Sequence, residues 1–460
     1  MLTIFSTDRG PTCDGMSRRS FLQVGALGVT GLTLSGLLAA RATAASQGVN
    51  YLHDKAVVFL FLAGGPSHVE TWDPKMTAPV EFRSMTGEVQ TKLPGVTFGG
   101  TFPKLAALAD QLAVVRSFQS GSNSHSTGTT NVLRGNPTTA SMGAMYARIR
   151  GATNPQTGMV TFAQMCDDAR ETAYENGRKR VIEGNSPGML GAACAPFDPS
   201  VKGPLQENMT LNVPADRFTD RRSLLQTIDT LRRDLDPKGN IDAIDSYRQQ
   251  AYDLILGSAR DAFDLTKEDP KVVKRYDTNH FKIGHKERHA SPLGRHLLLA
   301  RRLCEAGCGF VTIGSPAWDH HEGGNNPGIV KGLNMVGPPL DHAVSVFLED
   351  LAERGLSDKI LLVVTGEMGR TPRINKKGGR DHWGSLCSLL LAGGGLKMGQ
   401  VIGQSSPKAE VPATSPYKPE NLMATIMHTL FDVGQLRVDT SVPRDLAKPI
   451  EDGKPIAELF

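Results

Sequence analysis

The stretch "GFVTIGSPAWDHHEGGNN", residues 309–326, joins a short apolar run to a loop rich in turn-forming residues. The run at 309–314 is apolar and lacks polar alternation, which is typical of a strand buried on both faces of a sheet. The loop places Asp319, His320 and His321 side by side among proline, glycine and asparagine. Since loops held by a rigid scaffold often carry functional side chains, this stretch predicts both a fold and a site.

Three other apolar runs share this pattern of a buried strand that leads into a polar loop. They are "AVVFLFL" (56–62), "LAVV" (112–115) and "KILLVV" (359–364). In parallel sheets, ligands bind beyond the carboxyl ends of the strands. Because these runs predict strands buried on both faces, we expect an α/β fold with a largely parallel sheet sandwiched between helices. The loops expected to meet at one edge are 63–73, 117–130, 315–326 and 366–382.

Helical periodicity fills the segments between these runs. The patterns at 291–307 and 339–355 place apolar residues three and four positions apart, and each ends at a glycine. A charged, helix-rich stretch predicts a helical insertion around 215–290. We expect residues 46–460 to form a single α/β domain.

Composition and charge are those of an ordinary globular protein. The 460 residues are 39% hydrophobic and 21% charged, with a formal net charge of +4. Residues 1–45 hold four arginines and two aspartates, so the remainder carries 4 − 2 = +2. This balance gives no reason to expect nucleic acid as a partner. The six cysteines include Cys13 and show no paired zinc-ligand spacing, so we expect buried free thiols.

The N-terminus carries a targeting pattern. Arg18 and Arg19 precede a weakly hydrophobic run at 21–40 with four glycines, followed by small residues at 42–44. Residues 1–45 resemble a twin-arginine signal peptide, which implies the twin-arginine export machinery as a partner and a periplasmic or extracellular location. An uncleaved membrane anchor is the alternative, although we expect no stable transmembrane span in the mature form.

Acidic and histidine side chains recur in the strand-end loops. Besides Asp319 and His321, "GGRDHWG" supplies Asp381 and His382, and "TGEMGR" supplies Glu367 and Arg370. Carboxylates and imidazoles gathered from separate loops are typical of metal sites. Adjacent histidines point in different directions, so we expect His321 to face the site and His320 to pack. Two structural alternatives stay open: Glu367 and Arg370 as an ion pair, and Asp381 as a turn residue or a partner of His382.

The order "WDHHEGGN", amphipathic helix, "KILLVVTGEMGRTPRIN", "GGRDHWG" resembles the exported bacterial family called domain of unknown function 1501. More remotely it is similar to the alkaline phosphatase/sulfatase superfamily. The resemblance implies an alkaline-phosphatase-like core, an anionic ester substrate, and one or two divalent metal ions, zinc or another cation. It also implies a Ser, Thr or formylglycine nucleophile on the helix after an early strand.

The resemblance assigns Asp319, His321 and His382 as ligands of one metal and Glu367 as a further ligand. The superfamily's early aspartate falls on Gly64-Gly65, and its late Asp-His pair falls on Glu367-Met368. The second metal therefore lacks its usual ligands. The neighbouring residues that offer replacements are His68, Glu70 and Asp73.

The nucleophile position falls in "SGSNSHSTGTTNVLRGN", residues 120–136. Ser126 and Thr127 are the candidate nucleophiles, with His125 as an activating base and Arg370 as an oxyanion-binding residue. A hydroxyl cluster that caps a helix is the structural alternative. The sulfatase signature CxPSR is absent, which argues against a formylglycine enzyme.

Two functions from different classes follow from these residues. The first is a metal-dependent hydrolase of phosphate or sulfate esters outside the cytoplasm. The second is a binding or assembly protein that keeps the fold with a partly lost metal site. The glycines at 64 and 65 favour the second, and Asp319, His321 and His382 favour the first.

Overall fold

A computed structural model describes residues 51–166, 172–199, 258–324, 326–439 and 442–460. The expected signal at 1–45 and most of the expected insertion around 215–290 lie outside these residues. The described residues from Leu52 onward belong to one compact unit. Within the described ranges, no helix is both long enough and apolar enough to cross a membrane.

Strands and helices are interspersed along the described chain. The strands are β1 (Ala56–Leu62), β2 (Glu88–Gln90), β3 (Thr97–Gly99), β4 (Leu112–Val115), β5 (Phe162–Cys166), β6 (Lys282–Ile283), β7 (His289–Ala290), β8 (Phe310–Ser315), β9 (Ile360–Thr365), β10 (Gly369–Arg370), β11 (His382–Trp383), β12 (Leu389–Gly393) and β13 (Gln400–Ile402). The α-helices are α1 (His68–Thr71), α2 (Pro103–Ala107), α3 (His125–Arg134), α4 (Met142–Arg150), α5 (Thr172–Gly184), α6 (Pro270–Arg275), α7 (Leu293–Glu305), α8 (Ile329–Glu353), α9 (Pro419–Leu430), α10 (Val433–Val438) and α11 (Arg444–Glu451).

A seven-stranded sheet forms the centre, in the order β13-β4-β12-β9-β1-β8-β5. β1 pairs in parallel with β8 and β9, β5 with β8, and β4 with β13. β12 is antiparallel to both β4 and β9. The pairing confirms an α/β fold with a largely parallel sheet.

The sheet core explains why the apolar runs form strands. Every residue of β1 is buried, so the strand has no solvent-facing side. Val58 and Leu60 belong to the same core cluster as Leu297 of α7 and Phe347 of α8. Helices α4 and α5 pack against β5 and β8, and α9 contacts β1. Because β1, β4, β8 and β9 all run in the same direction, the loops at their carboxyl ends share one edge of the sheet.

Helix α8 begins at Ile329, ten positions before the expected 339–355 helix, and contains Pro338 and Pro339. Because a proline interrupts the helical hydrogen-bond ladder, the sequence favoured a helix that starts at 339. The burial of Ile329 and Leu333, both fully shielded from solvent, extends the helix beyond this break. Tertiary packing therefore overrides the local signal.

The described cysteines are free thiols, as expected, and all of them except Cys304 are buried. Burial raises the pKa of Cys308 and Cys387 to about 12. These two thiols are therefore protonated at neutral pH and are poor nucleophiles.

Candidate functional site

The loop after β1 forms the floor of the site. Gly64 and Gly65 have positive φ angles of 123° and 81°. Their backbone N–H groups donate to Glu367, at 2.9 Å to Oε1 and 3.1 Å to Oε2. A Cβ at Gly64 would lie 2.5 Å from the backbone nitrogen of Asp319, so the loops after β1 and β8 approach more closely than any side chain allows. Glu367 is therefore held by the two glycines that stand where the superfamily resemblance puts an aspartate.

Glu367 also fixes His125, the first residue of α3. The Glu367 Oε1 lies 2.7 Å from His125 Nδ1, and the Glu367 side chain is 1% exposed. Gly128, one turn into α3, packs against the Glu367 backbone, where a Cβ would lie 2.5 Å from the carbonyl oxygen. With Nδ1–H donating to the carboxylate, the His125 Nε2 carries the lone pair. That atom lies 3.4 Å from Asp319 Oδ2.

His382, in β11, is held in the same way by a backbone carbonyl. Its Nδ1 lies 3.0 Å from the Asn123 carbonyl oxygen, which identifies Nδ1 as the donor. Its Nε2 lies 3.4 Å from Asp319 Oδ1 and, among the described residues, is buried without a hydrogen-bond partner. The His382 and His125 rings pack edge to face, with 4.3 Å between their centroids.

His125, Asp319 and His382 each offer one ligand atom, and these atoms lie within 4.8 Å of one another. Two imidazole lone pairs that face a carboxylate repel it unless a proton or a cation lies between them. Neutral imidazoles and a carboxylate are suitable ligands for zinc and similar divalent ions. The residues present therefore fit one divalent cation.

His321 lies beside this trio. Its Nε2 is 3.3 Å from Asp319 Oδ2. The amide nitrogen of Asn326 contacts both groups, 2.9 Å from Asp319 Oδ2 and 3.0 Å from His321 Nε2. Use of His321 as a ligand requires this amide to move.

His320 points away from the trio. It is buried, with its Nε2 2.8 Å from the Ala317 carbonyl oxygen and its ring against Gly332. Burial lowers the pKa of His320 to about 3, and the nearby Arg370 acts in the same direction. The side chain is therefore neutral and packs in the interior, so of the adjacent pair His321 is the one that lies near Asp319.

Arg370, in β10, lies behind Asp319. Its Nη2 lies 2.6 Å from Asp319 Oδ1, and the Arg370 side chain is 0% exposed. The guanidinium also donates to the carbonyl oxygens of Gly64, Gly65 and Arg380. Arg370 therefore holds Asp319 and joins the loops after β1 and β9. Its role as an oxyanion-binding residue stays a prediction.

Electrostatics in the trio favour the ionised carboxylate. Burial raises the pKa of Asp319, but its contacts with His125, His321 and His382 and the charge of Arg370 hold it well below its usual range. Burial lowers the pKa of His125, and the carboxylates of Asp319 and Glu367 outweigh this and raise it. Binding of a cation must therefore compete with a proton on His125.

The hydroxyl candidates Ser126 and Thr127 are exposed in the first turn of α3, directly after His125. The Ser124 side chain makes no capping hydrogen bond there. The structure thus places both hydroxyl groups on the helix that carries His125. Their roles as nucleophiles stay predictions.

The three proposed replacement ligands have partners elsewhere. Glu70 forms a fully buried ion pair with Arg380, at 3.0 Å. Asp73 lies 3.4 Å from Arg116 Nε and accepts a hydrogen bond from Ser405. The His68 Nε2 lies 3.0 Å from the Ala409 carbonyl oxygen. These contacts engage all three side chains in the packing of the loop after β1.

Three features of the site were not foreseen from the sequence. The His125 Nε2 joins the ligand group, Glu367 acts on His125, and Asn326 bridges Asp319 and His321. The sequence signal for Asn326 was its place as a polar side chain in the loop "HEGGNNPG", close to Asp319 and His321. The carbonyl oxygen of Asn123, which orients His382, has no signal in a sequence because every residue carries one.

Several solved structures are similar to this chain at low identity. The lipoteichoic acid synthase LtaP from Listeria monocytogenes is 10% identical, with 89% of this chain and 81% of that chain covered and a TM-score of 0.31. The PsFucS1 sulfatase from Pseudoalteromonas sp. is 12% identical, with 91% and 76% covered and a TM-score of 0.34. The phosphonate monoester hydrolase SpPMH from Silicibacter pomeroyi is 11% identical, with 88% and 76% covered and a TM-score of 0.35. No curated protein sequence matches the chain.

A sequence family matches almost the whole of the chain after its N-terminal segment. The match covers residues 54–458 and carries the description "Protein of unknown function (DUF1501)". This range contains the four strand-end loops and every residue of the site. The chain belongs to the DUF1501 family.

Proposed function

We propose that the protein is an exported hydrolase of phosphate or sulfate esters that depends on one divalent cation, with zinc as the first candidate. The observation that carries the proposal is the convergence of two imidazole Nε2 atoms on Asp319. Both rings are anchored through Nδ1, His125 to Glu367 and His382 to the Asn123 carbonyl oxygen. Anchoring of the distal ring nitrogen is characteristic of metal-binding histidines.

His125, Asp319 and His382 would hold the cation, and His321 is available as a fourth ligand once Asn326 moves. A bound divalent cation would polarise an ester oxygen as a Lewis acid. A single cation is favoured because the Glu367 carboxylate is engaged by the N–H groups of Gly64 and Gly65 and by His125. Glu367 therefore acts through His125.

The first turn of α3 would present the substrate to this centre. Ser126 and Thr127 are exposed there and offer hydroxyl groups next to His125. The unpaired N–H groups at a helix N-terminus favour an anionic ligand. Arg370 supports the site by holding Asp319, and direct binding of an oxyanion by Arg370 requires its guanidinium to leave that contact.

Export is part of this proposal. Arg18 and Arg19 followed by a weakly hydrophobic run support secretion of the folded protein by the twin-arginine machinery. The proposed location is periplasmic or extracellular. A protein that folds before export can acquire its cation in the cytoplasm.

A second candidate function is a binding or assembly protein without catalysis. The observation that favours it is that the two glycines, which stand where the resemblance puts a metal-binding aspartate, bind the Glu367 carboxylate through their N–H groups. The buried contacts of Arg370 also favour this second function, because a guanidinium with no exposure to solvent is not available to bind a substrate oxyanion.

Metal content and an ester screen distinguish the two functions. Purified mature protein is expected to retain about one zinc per chain and to hydrolyse a 4-nitrophenyl phosphate or sulfate ester. Asp319→Asn should remove both properties. Asp381→Asn is the matched control, because Asp381 is exposed and His382 is oriented by the Asn123 carbonyl oxygen instead. Absence of bound metal from the wild-type protein would favour the binding or assembly function.

A further inference from the structure

A separate cavity lies at the other end of helix α3. Its volume is about 550 Å³, within the range of roughly 300–1,000 Å³ that is usual for small-molecule sites. The wall combines the loop at 119–121, the last turn of α3 and the start of α9. His125 and Arg134 stand at opposite ends of α3, about 13 Å apart along the helix axis at 1.5 Å per residue. The cavity is therefore distinct from the His/Asp trio.

Arg134 gives this cavity its charge. The side chain is partly buried, and its Nε is shielded from solvent without a hydrogen-bond partner among the described residues. Because Arg134 lines the cavity, its guanidinium would pair with an anion bound there. Lys418 also lines the cavity and Glu420 supplies one carboxylate, so two cations face one anion.

The remaining wall includes polar side chains, two of which are held in place by hydrogen bonds. The Asn131 amide donates to the Ser120 carbonyl oxygen at 3.1 Å, and the Gln119 amide donates to the Ser385 carbonyl oxygen at 3.0 Å. Thr130 adds a hydroxyl group, and no aromatic side chain is among the described residues that line the cavity. Amides and hydroxyls without aromatic rings suit a ligand with several hydroxyl groups.

We propose that this cavity binds a small hydroxylated organic anion, an acidic sugar or a sugar phosphate, with Arg134 as the residue that contacts its charged group. A planar guanidinium pairs with both carboxylate and phosphate, so the two sources share one chemistry. The site does not require the proposed cation, because no residue of the trio lines it.

Calorimetric titration of the mature protein with glucuronate, glucose 6-phosphate and glucose tests the proposal. At least one of the two acids is expected to bind with a Kd of about 1 mM or below, in both metal-free and zinc-loaded protein, while glucose binds at least about tenfold more weakly. The acid that binds more tightly identifies the charged group. Absence of binding by both acids, or equal binding of glucose, overturns the proposal.

Variants test the role of Arg134. Arg134→Gln should weaken binding of the acid by about tenfold or more, because it removes a charge-assisted contact. Arg437→Gln is the control, since Arg437 is exposed, stands in another helix and changes the net charge equally. Unchanged affinity in folded Arg134→Gln overturns the assignment. If that variant fails to fold, Lys418→Gln takes its place, because Lys418 lines the cavity and is exposed. It should weaken binding of the acid by the same factor, and unchanged affinity overturns the proposal.

Discussion

The Oε1 of Glu367 lies 2.7 Å from the Nδ1 of His125, so a buried carboxylate on the loop after β9 fixes the first residue of helix α3. Two backbone N–H groups hold this carboxylate from the loop after β1. Three strand-end loops are therefore joined through one side chain. The orientation of His125 depends on a residue that is not in the ligand group.

Changing Glu367 to Gln should weaken zinc binding by about 10- to 100-fold, the usual effect of losing a partner of a metal-binding histidine. Glutamine cannot accept hydrogen bonds through both terminal atoms, so it loses part of its contact with the glycines or with His125. The measurement is a competition titration of zinc with a chelator. Glu88→Gln, at an exposed position in β2, is the control. Equal affinities in the two variants would contradict the role of Glu367.

The adjacent histidines should respond differently to alanine. His321→Ala is expected to lower zinc affinity with little change in stability, because His321 is partly exposed and lies 3.3 Å from Asp319. His320→Ala should instead lower the free energy of unfolding by about 1–3 kcal/mol, since it removes a buried ring and its hydrogen bond to Ala317. Zinc titration and urea unfolding of both variants give the two readouts. If folded His320→Ala lost more zinc affinity than His321→Ala, His320 and not His321 would be the histidine that faces the cation.

Much of the fold follows from the sequence for a physical reason. Uninterrupted apolar runs such as 56–62 and 359–364 can be buried on both faces only in a covered, largely parallel sheet. The carboxyl ends of such strands share an edge, which brings Gly64, His125 and Asp319 together as expected. Helix α8 departs from the prediction, because the burial of Ile329 counts for more than the prolines.

The atoms that meet in the site could be predicted only in part. The sequence predicted Asp319, His321 and His382 as ligands, Glu367 as a further ligand and His125 as a base. The structure groups His125 with Asp319 and His382, and it puts Glu367 against His125. Which nitrogen of His125 faces Asp319 depends on the backbone of the two glycines that position Glu367. Such dependence on three-dimensional backbone position leaves no periodic pattern in the sequence.

Asp341 predicts a pH dependence of stability. This carboxylate of α8 accepts hydrogen bonds from the N–H groups of Lys104 and Leu105, at 3.0 and 2.8 Å, and so caps helix α2. Burial raises the pKa of Asp341 to about 6 from 3.8, although these two hydrogen bonds oppose the shift. The folded-state pKa lies above the unfolded value. The contribution of Asp341 to stability is therefore fully present below pH 3.8 and is lost as the pH rises to about 6.

Asp341→Asn should remove this dependence. The stability of the variant relative to wild type is expected to rise by up to about 3 kcal/mol as the pH increases from about 4 to 7, at 1.36 kcal/mol per unit of pKa shift. Urea unfolding at several pH values measures it. Asp54→Asn is the control, because the Asp54 side chain is 88% exposed. Parallel stability curves for wild type and Asp341→Asn would contradict the prediction.

Replacement of Arg18-Arg19 by Lys-Lys should keep the precursor in the cytoplasm, because the export receptor reads the arginine pair. Cell fractionation and immunoblotting measure the distribution. A change of Arg9 to Lys, outside the pair, should leave export intact. Normal export of the Lys-Lys variant would remove the twin-arginine interpretation and favour another route.

Gly64→Ala tests the packing on which the site depends. A Cβ at Gly64 would lie 2.5 Å from the Asp319 nitrogen and 2.7 Å from the Trp318 carbonyl carbon, both backbone atoms, so the loop carrying Asp319 must shift. The φ of +123° adds strain of about 1–3 kcal/mol for any residue with a Cβ.

Gly95→Ala separates these two effects, because Gly95 also has a positive φ, +74°, yet its Cβ would meet nothing within 4 Å. Both variants are expected to lose stability in urea unfolding, Gly64→Ala by more. Only Gly64→Ala should also weaken zinc binding, by about tenfold or more, since it displaces a ligand as well as straining the backbone. If folded Gly64→Ala binds zinc as tightly as Gly95→Ala, close approach of the loops after β1 and β8 is not what positions Asp319 for a cation.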